Sequence, residues 1–340
     1  MEFGKSTLPG LPSDAWGRRP SYLRLSVTDR CNLSCRYCVS RQRQRFIPHD
    51  RILRYEEFYR IAAIAARRGI QKLRLTGGEP FCRRGFMDFV AGLRKRFPDL
   101  ALALTTNATL LAPYIPELAK SGISAVNVSL DSFDAATFQQ VTGHDLLARV
   151  LANIEGMLSL GLTVKINAVA MAGITDIQIS DFIYAIRQMP IDLRFIEYMP
   201  MGANTLWDPA NFLACADLKR LLERTVTLAP VADRAPAAGP ATLYDVAGAK
   251  GRFGFISAVS DHFCKSCNRL RVTSEGRLRL CLFSDREIDL RRILRHPAAG
   301  DRNIELALAH ALKAKPLGSD ILAERRRTAV ASGQMVGIGG

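Results

Sequence analysis

The sequence predicts an α/β protein, an incomplete (βα)6 barrel followed by a C-terminal α+β extension. Three observations predict it. Short apolar strands alternate with longer amphipathic stretches six times between Tyr22 and about Met199. Such units in series pack as a parallel sheet with helices outside, either open or closed. One face of these strands is persistently polar. A parallel sheet covered on both sides should be nearly all apolar, so the simplest account is a ligand-filled lumen. A solvated face is the plainer alternative, and six crossover units weigh against it. After Gly202 the alternation stops, and Pro, Ala and Gly crowd residues Ala229–Pro240.

The elements follow in order. Residues 1–20 form an irregular segment rich in Pro and Gly. Residues 21–202 carry strands at Tyr22–Val27, Lys72–Thr76, Ala101–Thr106, Ser124–Leu130, Thr163–Ala168 and Leu193–Glu197. Helical patterns lie between them at Tyr55–Arg68, Phe86–Phe97, Leu146–Leu160 and Ile177–Met189. Successive side chains of a strand alternate faces. Arg24, Ser26 and Thr28 therefore oppose Leu23, Leu25 and Val27; Lys72, Arg74 and Thr76 oppose Leu73 and Leu75. Asn127, Ser129 and Asp131 oppose Val126, Val128 and Leu130, and Lys165 shares a face with Asn167. Residues 203–323 form the extension, with short strands at Thr242–Val246, Phe253–Ile256, Leu270–Thr273 and Arg277–Leu280, then helices at Asp285–Leu294 and Ile304–Leu312. Residues 324–340 read as an irregular tail.

Composition bounds the function. The formal net charge is +15 over 340 residues, which attracts anions of several kinds without choosing among them. Nucleic acid is not expected, because aromatic residues are only 8% and no nucleic-acid motif appears. No stretch approaches the ~20 apolar residues of a membrane helix. Met1–Arg19 lacks the apolar region of a secretory signal, so the protein is expected to be cytoplasmic, with no membrane contact.

The eight cysteines cluster. Cys31, Cys35 and Cys38 form C-x3-C-x2-C directly after a strand. In a cytosolic chain such clusters read as metal ligands before disulfides. Three thiolates would hold three irons of a four-iron cluster and leave one iron open; a zinc knuckle is the alternative. Thr76-Gly77-Gly78-Glu79-Pro80 follows the next strand, where glycines let backbone approach a ligand. Cys264, Cys267 and Cys281 form C-x2-C-x13-C with His262 nearby, a spacing that by itself suits a Cys3His zinc site. Cys82 and Cys215 stand apart and read as small buried hydrophobes.

The first two motifs together resemble the radical S-adenosylmethionine superfamily, whose partial (βα)6 triosephosphate-isomerase-like barrel agrees with the six units. The region from Asp261 to Ser284 and the segments Leu23–Asn32, Leu73–Pro80, Thr105–Asn107, Asn127–Asp131, Val164–Asn167, Phe195–Met199 and Gly339–Gly340 resemble the GTP 3′,8-cyclase family of molybdenum cofactor biosynthesis. Val39-Ser40 departs from that family's usual Met-Pro.

The resemblance implies two [4Fe-4S] clusters, held by Cys31, Cys35 and Cys38 and by Cys264, Cys267 and Cys281. It implies S-adenosylmethionine contacts at Tyr37, Gly78, Ser129 and Met199. GTP contacts are implied at Arg24, Arg74, Thr105, Lys165, Arg269, Leu270 and Arg271, with Arg24, Arg269, Arg271, Gly339 and Gly340 carrying catalysis and the tail reaching the active site. The implied reaction is reductive cleavage of S-adenosylmethionine, abstraction of H3′ from GTP and closure of C3′ onto guanine C8. Implied partners are GTP, an external electron donor and a cyclic pyranopterin monophosphate synthase that takes the product; a homodimer is a further assembly open to the chain. The other reading within the superfamily is a radical enzyme acting on another substrate through its auxiliary cluster. Arg269 and Arg271 beside the second cysteine group favour an anionic substrate.

Overall fold

The computed structural model describes residues 10–38, 46–202, 207–232, 239–324 and 335–339. Val39-Ser40 and Gly340 lie outside them. The chain folds as α/β around one mixed sheet. Six strands, β1 (Tyr22–Ser26), β2 (Lys72–Thr76), β3 (Ala101–Thr106), β4 (Ile123–Ser129), β5 (Val164–Ala170) and β6 (Asp192–Glu197), run parallel in sequence order. Helices α1 (Tyr55–Arg67), α2 (Phe86–Arg96), α3 (Ile115–Lys120), α4 (Ala135–Thr142), α5 (Leu147–Ser159) and α6 (Ile179–Gln188) make the crossovers. The predicted strands and helices of this region hold, with ends moved by one or two residues; α3 and α4 were not foreseen.

Local chemistry accounts for these elements. In α1 Phe58, Ile61, Ala62 and Ala65 recur at helical spacing and are buried, and Glu57 accepts from the Arg54 N–H at 2.6 Å, satisfying an orphan donor. Asp134 caps α4 by accepting from Thr137 N at 2.8 Å. The apolar strand face, with Leu23, Leu25, Leu73, Leu75 and Leu104, packs under the helices and is essentially inaccessible. Burying each such side chain contributes roughly 1.5–3 kcal/mol, which concentrates stability on the face away from the polar residues.

The extension does not form a separate sheet. Its strands β7 (Leu228–Pro230), β8 (Thr242–Val246) and β9 (Arg252–Ile256) continue the sheet beyond β6, with β9 parallel to it. Strands β10 (Arg269–Val272), β11 (Arg277–Arg279) and β12 (Glu287–Asp289) continue it beyond β1, with β10 parallel. The full order is β12-β11-β10-β1-β2-β3-β4-β5-β6-β9-β8-β7, and the sheet is open. Helices α7 (Cys215–Glu223), α8 (Leu290–Leu294) and α9 (Asp301–Lys313) pack into the same apolar core, whereas α10 (Gly318–Glu324) joins a smaller cluster through Leu322.

Two expectations need correction. The helix predicted at Asp285–Leu294 is a strand followed by a short helix. The buried Arg279 draws Glu287 to 2.6 Å and also binds the Ser284 carbonyl at 2.6 Å, which holds that segment extended as β12. The tail is not irregular throughout: α11 (Met335–Ile338) is a helical turn. Val336 and Ile338 are buried, and Ile338 packs with Met201, Phe283 and Leu322.

Candidate active site

The first cysteine group sits in the loop after β1, tied to the loop after β2. Gly78 N donates to Thr28 O at 2.8 Å and Glu79 N to Arg30 O at 2.7 Å. A Cβ on Gly78 would collide with the Arg30 carbonyl and with Val336, so only glycine allows this approach. Glu79 is fully buried; it accepts from Asn107 N at 2.7 Å and from the Thr106 hydroxyl at 2.9 Å. Burial pushes its carboxyl up to about 7, against these donors. Cys31, Cys35 and Cys38 line a cavity of about 190 Å³ with Gly78 and Ser129. Tyr37 and Met199 line it too, so all four residues expected to contact S-adenosylmethionine meet there. The Tyr37 hydroxyl donates to Asp131 at 2.8 Å.

Burial raises the thiols of this group, Cys38 up to about 12. Donors aimed at the sulfurs oppose it: Asn107 Nδ2 reaches Cys31 at 3.8 Å, and the Val336 N–H points at Cys38. Dry thiols with N–H donors suit a metal that displaces their protons.

The second group lines a larger cavity of about 540 Å³ on the polar face of the sheet. Burial raises Cys281. Cys267 is held below its ordinary value, because Lys315, Arg269 and Arg271 outweigh its burial. The sulfurs of Cys281 and Cys264 both lie against Gly318, 3.0 and 3.4 Å from where its Cβ would stand. His262 turns Nδ1 to the Ala258 carbonyl at 3.0 Å. Among the described residues no three His, Cys, Asp or Glu side chains converge on a single metal ion. Six cysteines in two groups of three suit two four-iron clusters, whose ligands sit on separate irons.

Between the cysteine groups runs a band of cations. Arg24 is in register with Arg271 on one side and Arg74 on the other, about 5 Å from strand to strand. Burial depresses Arg24 well below the ordinary guanidinium range and Arg271 to about 10, with neighbouring arginines adding to both. Lys165, lowered to about 8 by burial and then by Arg194, lies 3.8 Å from Asp192. Asp192 also binds Arg194 and Arg252, each at 2.6 Å. Asn127 Oδ1, Asn167 Oδ1 and Arg194 Nε are buried without a protein partner, and all three residues line this cavity. Such atoms cost free energy unless a ligand or water satisfies them. The two cavities share Asn167, Ile196, Met199 and Met335, so they are contiguous.

Arg24, Arg74, Lys165, Arg269 and Arg271 all line the larger cavity. Thr105 lines the smaller one and accepts from Arg74 Nη1 at 3.2 Å. The Leu270 side chain does not join them; it is buried in the apolar core, so only its backbone can meet a substrate. Arg271 Nη1 donates to the Gly339 carbonyl at 2.9 Å. Sequence reasoning assigned no role to Tyr22, Lys72, Asp192, Arg194 or Arg252. For Lys72 the signal was present, since it shares the polar face of β2 with Arg74.

The radical SAM superfamily profile matches residues 25–184, and the Molybdenum Cofactor Synthesis C profile matches residues 191–321. A GTP 3′,8-cyclase of Heliobacterium modesticaldum is 42% identical over 92% of this chain and 95% of its own. One from Erythrobacter litoralis is 41% identical over 89% of this chain and 91% of its own. The crystal structure of Streptococcus suis SuiB bound to S-adenosylmethionine superposes with a TM-score of 0.62 at 17% identity, covering 89% of this chain and 68% of that one; it shares the fold. Identity of this order across nine-tenths of the chain, with both profiles matched in order, means that the chain belongs to the GTP 3′,8-cyclase family of radical S-adenosylmethionine enzymes.

Proposed function

We propose that this chain cyclises GTP to (8S)-3′,8-cyclo-7,8-dihydroguanosine 5′-triphosphate, the first step of molybdenum cofactor biosynthesis, with its two cysteine groups at the two ends of one cavity. Cys31, Cys35 and Cys38 would hold one [4Fe-4S] cluster beside S-adenosylmethionine; Cys264, Cys267 and Cys281 would hold the other. When bound, the first cluster and S-adenosylmethionine supply a carbon-centred radical. The observation that carries the reading is the cationic band between the two cysteine groups, which suits a triphosphate.

The chain's own residues bind and orient. Arg24, Arg74 and Lys165 face the phosphates. Arg269 and Arg271 extend the band to the second cysteine group, and the Leu270 backbone lies between them. Tyr37, Gly78, Ser129 and Met199 hold S-adenosylmethionine, and Thr105 steadies Arg74 from the smaller cavity. Gly339 closes the site through Arg271, and Gly340 would follow it in catalysis. Fixing GTP between the clusters makes the reacting atoms neighbours, a proximity effect, and the dry lumen protects reactive species.

The same reading covers architecture and partners. One cavity touches strands from β10 through β1 and β2 to β6 and β9, which supports a sheet curved as an incomplete (βα)6 triosephosphate-isomerase-like barrel. Residues 21–202 would be the barrel, 203–323 the extension and 324–340 the tail. An external reductant would feed the first cluster, and a cyclic pyranopterin monophosphate synthase would take the product. A cytoplasmic location accords with the absence, among the described residues, of any helix long and apolar enough to cross a membrane.

The test is anaerobic reconstitution followed by incubation with S-adenosylmethionine, reductant and GTP. Both 5′-deoxyadenosine and the cyclised nucleotide should form. Deoxyadenosine without any change in GTP would favour a radical enzyme for another substrate.

A further inference from the structure

Tyr22 is a part of the larger cavity that the proposed function does not use. It heads β1 and is in register with Arg269 on β10 and Lys72 on β2. Its hydroxyl oxygen accepts from Arg74 Nε. The Arg74 guanidinium lies 6.0 Å from the ring centroid and the Lys72 ammonium 5.5 Å. Arg24 follows two residues later on the same strand face, and Arg271 stands beside Arg24. Every charge that acts on this phenol, from its own strand and from both neighbours, is therefore cationic.

A phenol has one proton to give and lone pairs to accept with. Here Arg74 takes a lone pair, so the proton is free to point into the cavity. Resting on the GTP-binding reading above, we propose that Tyr22 is a substrate-positioning residue: it fixes the Arg74 fork and donates its own hydroxyl to the triphosphate. The same placement gives it a second effect. Once ionised, the phenolate is an internal anion among the arginines and competes with the substrate for them. Burial alone would raise this phenol, yet Arg74, Arg24 and Arg269 outweigh burial and bring it down to about 8. Above that pH, binding the triphosphate takes up one proton from solvent at Tyr22 and another at Lys165, itself lowered to about 8. The phosphates are already ionised there. Affinity should thus fall by up to about 100-fold per pH unit, ten for each proton taken up.

The experiment is a titration of reconstituted holoenzyme with GTP and, separately, with inorganic triphosphate, between pH 7 and 9.5. Wild type is compared with Tyr22→Phe, which keeps the ring; Arg74 remains held by the Leu104 carbonyl at 2.9 Å. The expected result is weaker binding of both probes in Tyr22→Phe at pH 7, by about tenfold. Above pH 8 the variant should lose only about tenfold per unit, so its curve converges on wild type. Parallel curves, or equal affinity at pH 7, overturn the proposal. If wild type binds triphosphate with the steeper slope but not GTP, the guanosine reading fails and Tyr22 keeps its role. If wild type binds neither probe, both are overturned.

Discussion

Replacing Lys165 with Met should weaken GTP binding while leaving S-adenosylmethionine binding unchanged. The ammonium lies on the polar face of β5, in the larger cavity and outside the smaller one. A charge-assisted hydrogen bond is worth about 1.5–3 kcal/mol, so the dissociation constant at pH 7 should rise about 10- to 150-fold. The fold should survive, because Asp192 keeps Arg194 and Arg252 at 2.6 Å each. The pH dependence follows from the sign of the shift. Burial and Arg194 lower the free ammonium to about 8, so it is charged below that pH and neutral above. A bound triphosphate favours the charged form, and binding above pH 8 therefore takes up a proton. Wild type loses this contribution as pH rises, whereas the Met variant never had it. The gap between them should be full at pH 7 and shrink towards nothing near pH 10. Calorimetric titration of holoenzyme at several pH values measures it. A gap that is constant with pH, or no gap at pH 7, would refute the placement of this ammonium against the phosphates.

Other outcomes follow from the same geometry. Reconstituted protein should carry about eight irons per chain; one zinc with only four irons, by elemental analysis, would restore a zinc site at Cys264, Cys267 and Cys281. Cys35→Ala should abolish S-adenosylmethionine cleavage, whereas Cys267→Ala should retain some uncoupled cleavage and lose cyclisation; cyclised product at the wild-type rate from the latter would remove the second cluster from substrate binding. Gly339 has φ of +78° and a Cβ there would stand 2.5 Å from Thr76 Cγ2. Gly339→Val, or deletion of Gly339 and Gly340, should leave both clusters intact by iron content and lower cyclised product at least tenfold, about 1.4 kcal/mol of barrier; unchanged yield would separate the tail from the reaction.

The polar strand faces were legible because strand periodicity is two and needs no partner. Arg24, Arg74, Asn127 and Lys165 could be placed on one face from neighbours two residues away. The cysteine groups were legible by spacing. What was not legible depends on pairing over long distances. Nothing local says that β10 docks parallel to β1 or that β9 docks parallel to β6, so the extension read as a separate unit. The segment at Glu287–Asp289 has a helical pattern, and it is extended because it pairs with β11, with Arg279 on Glu287 and Arg277 on Asp289. Met335 and Ile338 look like the end of a tail until Met201, Phe283 and Leu322 supply an apolar pocket. Asp192 and Arg194 were passed over because their strand was read from Leu193 onward, one residue late, and its faces were not separated.

The same limit explains why the sequence points to an anionic substrate without showing how the arginines meet. Arg24, Arg74 and Arg271 come from strands far apart in the chain, and nothing local says that they are neighbours. Pairing β10 with β1 and β1 with β2 puts the three side by side, where like charge and burial both oppose the charged state. No local preference builds such a row. It persists because the opposite faces of the same strands, Leu23, Leu25, Leu73, Leu75, Leu270 and Val272, are fully packed. A register slip by one residue would exchange the two faces and place guanidinium groups in that core. Apolar packing thus fixes the register, the register assembles the cations, and the assembled cations favour an anion, as the proposed triphosphate site requires.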